Sequence, residues 1–127
     1  MQALNPMKYT SIVLFGIPNC DTVKKARTWL SAQGFDLAFH DFKKQGLSES
    51  TLDSWLQALG WELVLNRKGT SWRKLSPAEQ ASVVSNETAK PFLMANPSLV
   101  KRPVIEWRQE NKLEITVGYQ PDQWLAR

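Results

Sequence analysis

The chain has one cysteine, Cys20, and one histidine, His40, in 127 residues. A lone thiol excludes an intramolecular disulfide. With no signal peptide read at the start, a reducing, cytoplasmic setting is expected. One cysteine and one histidine supply no zinc-ligating spacing, and a single histidine assembles no Ser-His-Asp or Cys-His pair. Apolar runs fall far short of the roughly 20 residues that span a bilayer, so no membrane association is expected. No block of five or six like charges occurs, which argues against direct nucleic-acid binding. The net charge of +4 remains compatible with anionic ligands or acidic partners. What is present is globular in character: 43% hydrophobic and 22% charged residues suffice for one buried core.

Elements follow from periodicity and punctuation. Ser11–Phe15 reads as a buried strand, and Val23, Ala26 and Leu30 form the apolar face of a helix over Asp21–Gln33, closed by Gly34. A second strand is expected over Leu37–Phe42, parallel to the first by the crossover rule. Ser48 caps a second helix whose face is Leu52, Trp55, Leu56 and Leu59, and Gly60 ends it. The stretch from Trp61 to Val100 reads as helical, with an N-terminal signal at Ser76-Pro77-Ala78-Glu79. A short helix over Glu87–Asn96 has to hold Pro91 in its first turns or break there. Strands over Val104–Trp107 and Leu113–Val117 pair as a hairpin through Gln109–Lys112, and a short helix follows Pro121. The order βαβα, helical insertion, ββα predicts an α/β domain with a small mixed sheet. One domain is expected over 9–127, a core of 9–60 and 101–127 with an insertion at 61–100, after an extension at 1–8. The six tryptophans fall at core or helix-face positions; no aromatic row on a strand offers a base-stacking platform.

Cys20 sits where a Gly/Pro loop, Gly16-Ile17-Pro18-Asn19, hands over to the first helix. Backbone N–H groups and the helix dipole favour an anion at such a place, and the thiolate is the reactive form of cysteine. Gly16 allows close backbone approach there. Two basic stretches are candidate neighbours: Asn66–Lys74 and Lys101-Arg102-Pro103. An arginine fork suits carboxylates and tetrahedral oxyanions, whereas Lys68, Arg73 and Lys74 read as solvated charges. His40, ending the second strand, reads as a surface or structural residue rather than a catalytic one.

Three segments together resemble a known family: Phe15-Gly16-Ile17-Pro18-Asn19-Cys20-Asp21-Thr22-Val23-Lys24-Lys25-Ala26, Arg67-Lys68-Gly69 and Lys101-Arg102-Pro103-Val104-Ile105. They are similar to the arsenate reductase (ArsC)/Spx family, in its YffB-like branch, over about Tyr9 to Leu125. The resemblance implies a thioredoxin-like fold with a four-stranded mixed sheet and a helical insertion, and a cis bond before Pro103. It implies Cys20 as nucleophile, with Asn19, Lys24, Arg67, Arg102 and Pro103 as the substrate-binding set. Val23 stands where Spx-type regulators carry a second cysteine, so no Cys-X-X-Cys switch exists here. Val117-Gly118-Tyr119-Gln120-Pro121 lacks the arginine that arsenate reductases place before that proline, and Val23-Lys24 replaces their Ser-Arg pair. The expected function is therefore a glutathione-dependent thiol reductase with no bound cofactor, its partner glutathione or glutaredoxin. The alternatives are arsenate reduction, or Spx-like regulation through the RNA polymerase α-subunit.

Overall fold

β1 (Ser11–Gly16) leads into α1 (Asp21–Ala32), β2 (Ala38–Asp41) and α2 (Phe42–Gln45). Then come α3 (Glu49–Leu59), α4 (Trp61–Val64), α5 (Thr70–Arg73), α6 (Pro77–Ser82) and α7 (Asn86–Ala95), followed by a 3-10 turn at Pro97–Leu99. β3 (Val104–Gln109), β4 (Lys112–Val117) and α8 (Pro121–Leu125) complete the chain. This computed structural model describes residues 8–126, so the extension expected over residues 1–8 lies, up to Met7, outside the described residues. Two compact units are present: the chain up to Gln45 together with the chain from Arg102 onward, and Gly46–Lys101.

The first unit is built on a four-stranded sheet in the order β2-β1-β3-β4. β1 and β2 are parallel, as the crossover rule requires, and the other pairs are antiparallel. Gln109 pairs with Lys112, leaving Glu110-Asn111 as a tight two-residue hairpin turn. β2 is shorter than expected because Asp41 ends it: its carboxylate accepts the Lys43 N–H at 2.8 Å and starts α2 at Phe42. Alternation along β1 sends Ile12 and Leu14 to one sheet face, where Val23, Ala26 and Leu30 of α1 meet Ile105, Trp107 and Trp124. Each buried Val, Leu or Ile side chain among these contributes about 1.5–3 kcal/mol. α1 stops at Ala32, and Gly34 takes φ 88° while Phe35 N–H reaches back to the Leu30 carbonyl at 3.1 Å. Phe15 points to the other face, with the His40 ring 4.7 Å away. His40 is thus half-buried and packed between aromatic rings.

In the second unit, Ser48 accepts the Thr51 N–H and Gly60 closes α3, as the caps predict. Ser76 and Glu79 form a capping box on α6, and Ser85 and Thr88 form another on α7. α7 runs unbroken through Pro91, its sixth residue, which is exposed. Pro91 has no N–H for the Glu87 carbonyl, yet the helix persists because its capped first turn and its buried Ala89 and Leu93 hold it. Asn86 ties the end of α3 to the start of α4: its amide donates to the Leu56 carbonyl and its oxygen accepts the Trp61 N–H. No helix among the described residues is long and apolar enough to cross a membrane.

Candidate active site

The site starts where β1 ends. A Cβ added at Gly16 would lie 2.7 Å from Cγ2 of the buried Val23, so only glycine lets the strand end approach α1 so closely. The sequence suggests that this glycine serves backbone approach to an anion; the structure gives it a packing role first. Beyond it, the Cys20 N–H donates to the Ile17 carbonyl at 3.3 Å, closing the Ile17-Pro18-Asn19-Cys20 turn. Cys20 is the N-cap of α1, in extended conformation (φ −99°, ψ 120°), and its carbonyl accepts the Lys24 N–H at 2.9 Å. Its side chain makes no capping bond. The thiol is half-exposed and rests against the core cluster of the first unit. The opening N–H groups of a helix have no intrahelical acceptor and carry the positive end of its dipole. Asn19 and Lys24 flank Cys20 on either side, both exposed.

The second component comes from the other end of the chain. Phe15 pairs with Val104 in antiparallel register, so the residues before Val104 run beside the loop that follows β1. Register thus carries Arg102 and Pro103 to the end of the sheet from which Cys20 emerges. The Arg102-Pro103 bond is cis, as the resemblance implies. Pro103 is buried, and its carbonyl accepts the Gly118 N–H at 2.8 Å, with Gly118 at φ 84°. Arg102 is half-buried. One contact here has no sequence signal. The Lys25 ammonium lies 4.8 Å from the Tyr119 ring centroid, tying the first turns of α1 to the segment after β4. The two residues are too far apart in the chain for any local pattern to pair them.

Arg67 belongs to the second unit. It sits on a turn built by Asn66, whose side chain accepts the Lys68 N–H at 3.1 Å. Its guanidinium lies 5.5 Å from the Trp61 ring centroid. Arg73 braces the same turn by donating to the Lys68 carbonyl at 2.9 Å, which makes it more than a solvated charge. Five of the six expected residues, Asn19, Cys20, Lys24, Arg102 and Pro103, therefore lie in the first unit. A raised pKa is found in the second unit, at Lys90. Hydrogen bonds to Glu49 and then Asp53 hold its ammonium above the ordinary lysine value.

Comparison with known proteins agrees with this architecture. The solved structure of the YffB protein superposes with a TM-score of 0.82 at 41% identity, over 91% of this chain and 97% of that one. An uncharacterized protein of Haemophilus influenzae is 38% identical over 94 residues, 74% of this chain and 82% of its own length. The global transcriptional regulator Spx of Streptococcus agalactiae is 28% identical over 120 residues, 91% of this chain and 81% of its own. The four-stranded mixed sheet with its helices is the α/β, thioredoxin-like fold of these neighbours. The ArsC family model matches residues 15–127, from within β1, through Cys20, to the end of α8 and beyond. The chain belongs to the ArsC family.

Proposed function

We propose that this protein is a monothiol reductase coupled to glutathione. The observation that carries the reading is Cys20 itself, half-exposed at the N-cap of a twelve-residue helix with its side chain in no capping bond. A thiolate there faces the N–H groups of the first helical turn. It attacks an oxidised sulfur, a mixed disulfide forms, and the displaced thiolate takes a proton from water. The chain holds no second cysteine, so the thiol that releases Cys20 comes from another molecule. Glutathione fits, because its two carboxylates match Lys24 and Arg102, with Asn19 and Pro103 lining the approach; Arg67, which the family resemblance implies, belongs to the second unit. Glutaredoxin is the alternative donor. No cofactor is required, and the setting is the reducing cytoplasm. The test is mass spectrometry of the intact protein after incubation with oxidised glutathione. A single glutathione adduct, absent in Cys20→Ser and removed by added glutathione, is expected. An unmodified wild-type protein would sink the reading.

A second reading is favoured by the likeness to Spx: regulation by contact with the RNA polymerase α-subunit. It needs a partner surface and no reactive thiol, and Val23 leaves it without a two-cysteine switch. Pull-down with purified α-subunit separates the two, since capture unaffected by Cys20→Ser would favour regulation over catalysis.

A further inference from the structure

Cys20, Lys24, Arg27 and Ser31 follow one another along α1 at spacings of four, three and four residues. At 3.6 residues per turn these positions form one stripe, next to the buried face of Val23, Ala26 and Leu30. The outer part of that stripe is an open groove of about 470 Å³ lined by Lys24, Arg27, Thr28 and Ser31. The lining is two cations and two hydroxyls, with no carboxylate. Among the described residues, neither Lys24 nor Arg27 has an ion-pair partner. Asp21 projects about a quarter-turn away from Cys20. The Arg27 guanidinium carbon lies 4.2 Å from the Phe39 ring centroid, which restrains its side chain before any ligand arrives. Arg27 stands about 10 Å along the helix from Cys20 at 1.5 Å per residue.

We propose that this groove binds the peptide half of a mixed disulfide. The substrates are glutathionylated peptides with a Glu or Asp about three residues from the modified cysteine. Three extended residues span roughly 10 Å, the separation of Arg27 from Cys20. The proposal rests on the monothiol reductase reading and specifies its substrate class. The Cys20 thiolate attacks the glutathione sulfur of the peptide–glutathione disulfide. The Cys20–glutathione bond forms, and the peptide thiolate leaves and is protonated by water. A free glutathione thiolate then attacks that bond, releasing oxidised glutathione and the Cys20 thiolate. In sum, one peptide–glutathione disulfide and one glutathione become one peptide thiol and one glutathione disulfide.

The experiment compares two glutathionylated peptides that differ only by Glu against Gln at that position, with turnover followed through glutathione reductase. A third substrate, the mixed disulfide of glutathione and 2-mercaptoethanol, has no acidic peptide. Wild-type kcat/KM is expected to be about twofold to fivefold higher for the Glu peptide, as one exposed ion pair to Arg27 allows. The preference should fade at about 0.5 M salt. Arg27→Glu should erase it while leaving turnover of the third substrate unchanged. Equal kcat/KM for the two peptides, with the third substrate turned over, overturns the groove and leaves the reductase reading intact. If the third substrate is not turned over at all, the reductase reading fails and the groove is judged by binding alone. The probe is then a fluorescent, cysteine-free Glu peptide titrated into the Cys20→Ser protein. Salt-sensitive binding lost in Arg27→Glu supports the groove, and no binding overturns it.

Discussion

Gly16 is the position at which a single added carbon tests how the cysteine loop is held. In Gly16→Ala the new Cβ arrives 2.7 Å from Val23 Cγ2 and 3.3 Å from Cγ1, both on a side chain with no exposed surface. Valine in a helix has one strongly preferred χ1, so Val23 has no other well to retreat into. Overpacking of this kind costs about 1–3 kcal/mol. Gly16 has no positive φ that would add backbone strain. The loss of glycine's freedom in the unfolded chain returns about 0.4–1 kcal/mol. The clash wins, with a net destabilisation of about 1–2 kcal/mol and a Tm lower by roughly 3–10 °C. Thermal melts and urea titration measure it. Val23→Ala alone should cost about 2 kcal/mol for two buried methyl groups. The double variant should be more stable than the sum of the two losses predicts, by about 1 kcal/mol or more, since the clashing methyls are gone. The rate of Cys20 labelling by a small disulfide should shift in Gly16→Ala and return toward wild type in the double variant. Additive losses would show that the Gly16–Val23 contact does not hold the loop.

Two further predictions concern the second unit. Asn86→Ala leaves the Trp61 N–H and the Leu56 carbonyl without their side-chain partner and should cost about 1–2 kcal/mol by urea titration; wild-type stability would show that water replaces the amide. Lys90→Met should lower Tm slightly at neutral pH by removing the bridge from α7 to Glu49 and Asp53 on α3. Because the folded-state pKa of Lys90 is raised, its contribution is fully present below the ordinary lysine value and is lost as pH rises through the raised one. The gap between wild type and Lys90→Met should therefore close at strongly alkaline pH, and a constant gap would refute the ion-pair account.

A single thiol defines the chemistry open to the first unit more tightly than its surroundings do. A two-cysteine reductase forms and resolves its mixed disulfide within one chain. Here Val23 occupies the position one turn after Cys20, and its methyls are used to pack Gly16. A cysteine at that place would give up this contact as well as change the redox chemistry. The residue that excludes an internal switch is thus the one that seats the loop against the helix. The proposed monothiol cycle and the packing of α1 on β1 are consistent demands on the same side chain.

What can be read from the residues, and what cannot, divides by chain separation. The caps at Ser48, Gly60 and Ser76, together with the apolar stripes of α1 and α3, are visible because each involves residues within a turn or two. The limits of β2 are less visible, since an extended Asp41 and a capping Asp41 read alike until its carboxylate is seen to accept the Lys43 N–H. Pro91 leaves two outcomes open, a place in the first turns or a break, and the buried face that carries α7 past it selects the first. At the site, Cys20 at a helix start is a local feature and legible. The place of Arg102 and Pro103 depends on the pairing of Phe15 with Val104, residues nearly ninety positions apart, which no periodicity encodes. The family resemblance supplies that link independently of the register. The Lys25–Tyr119 contact has neither source, and it emerges only once β4 is laid beside β3 and the chain turns at Gly118 toward α1.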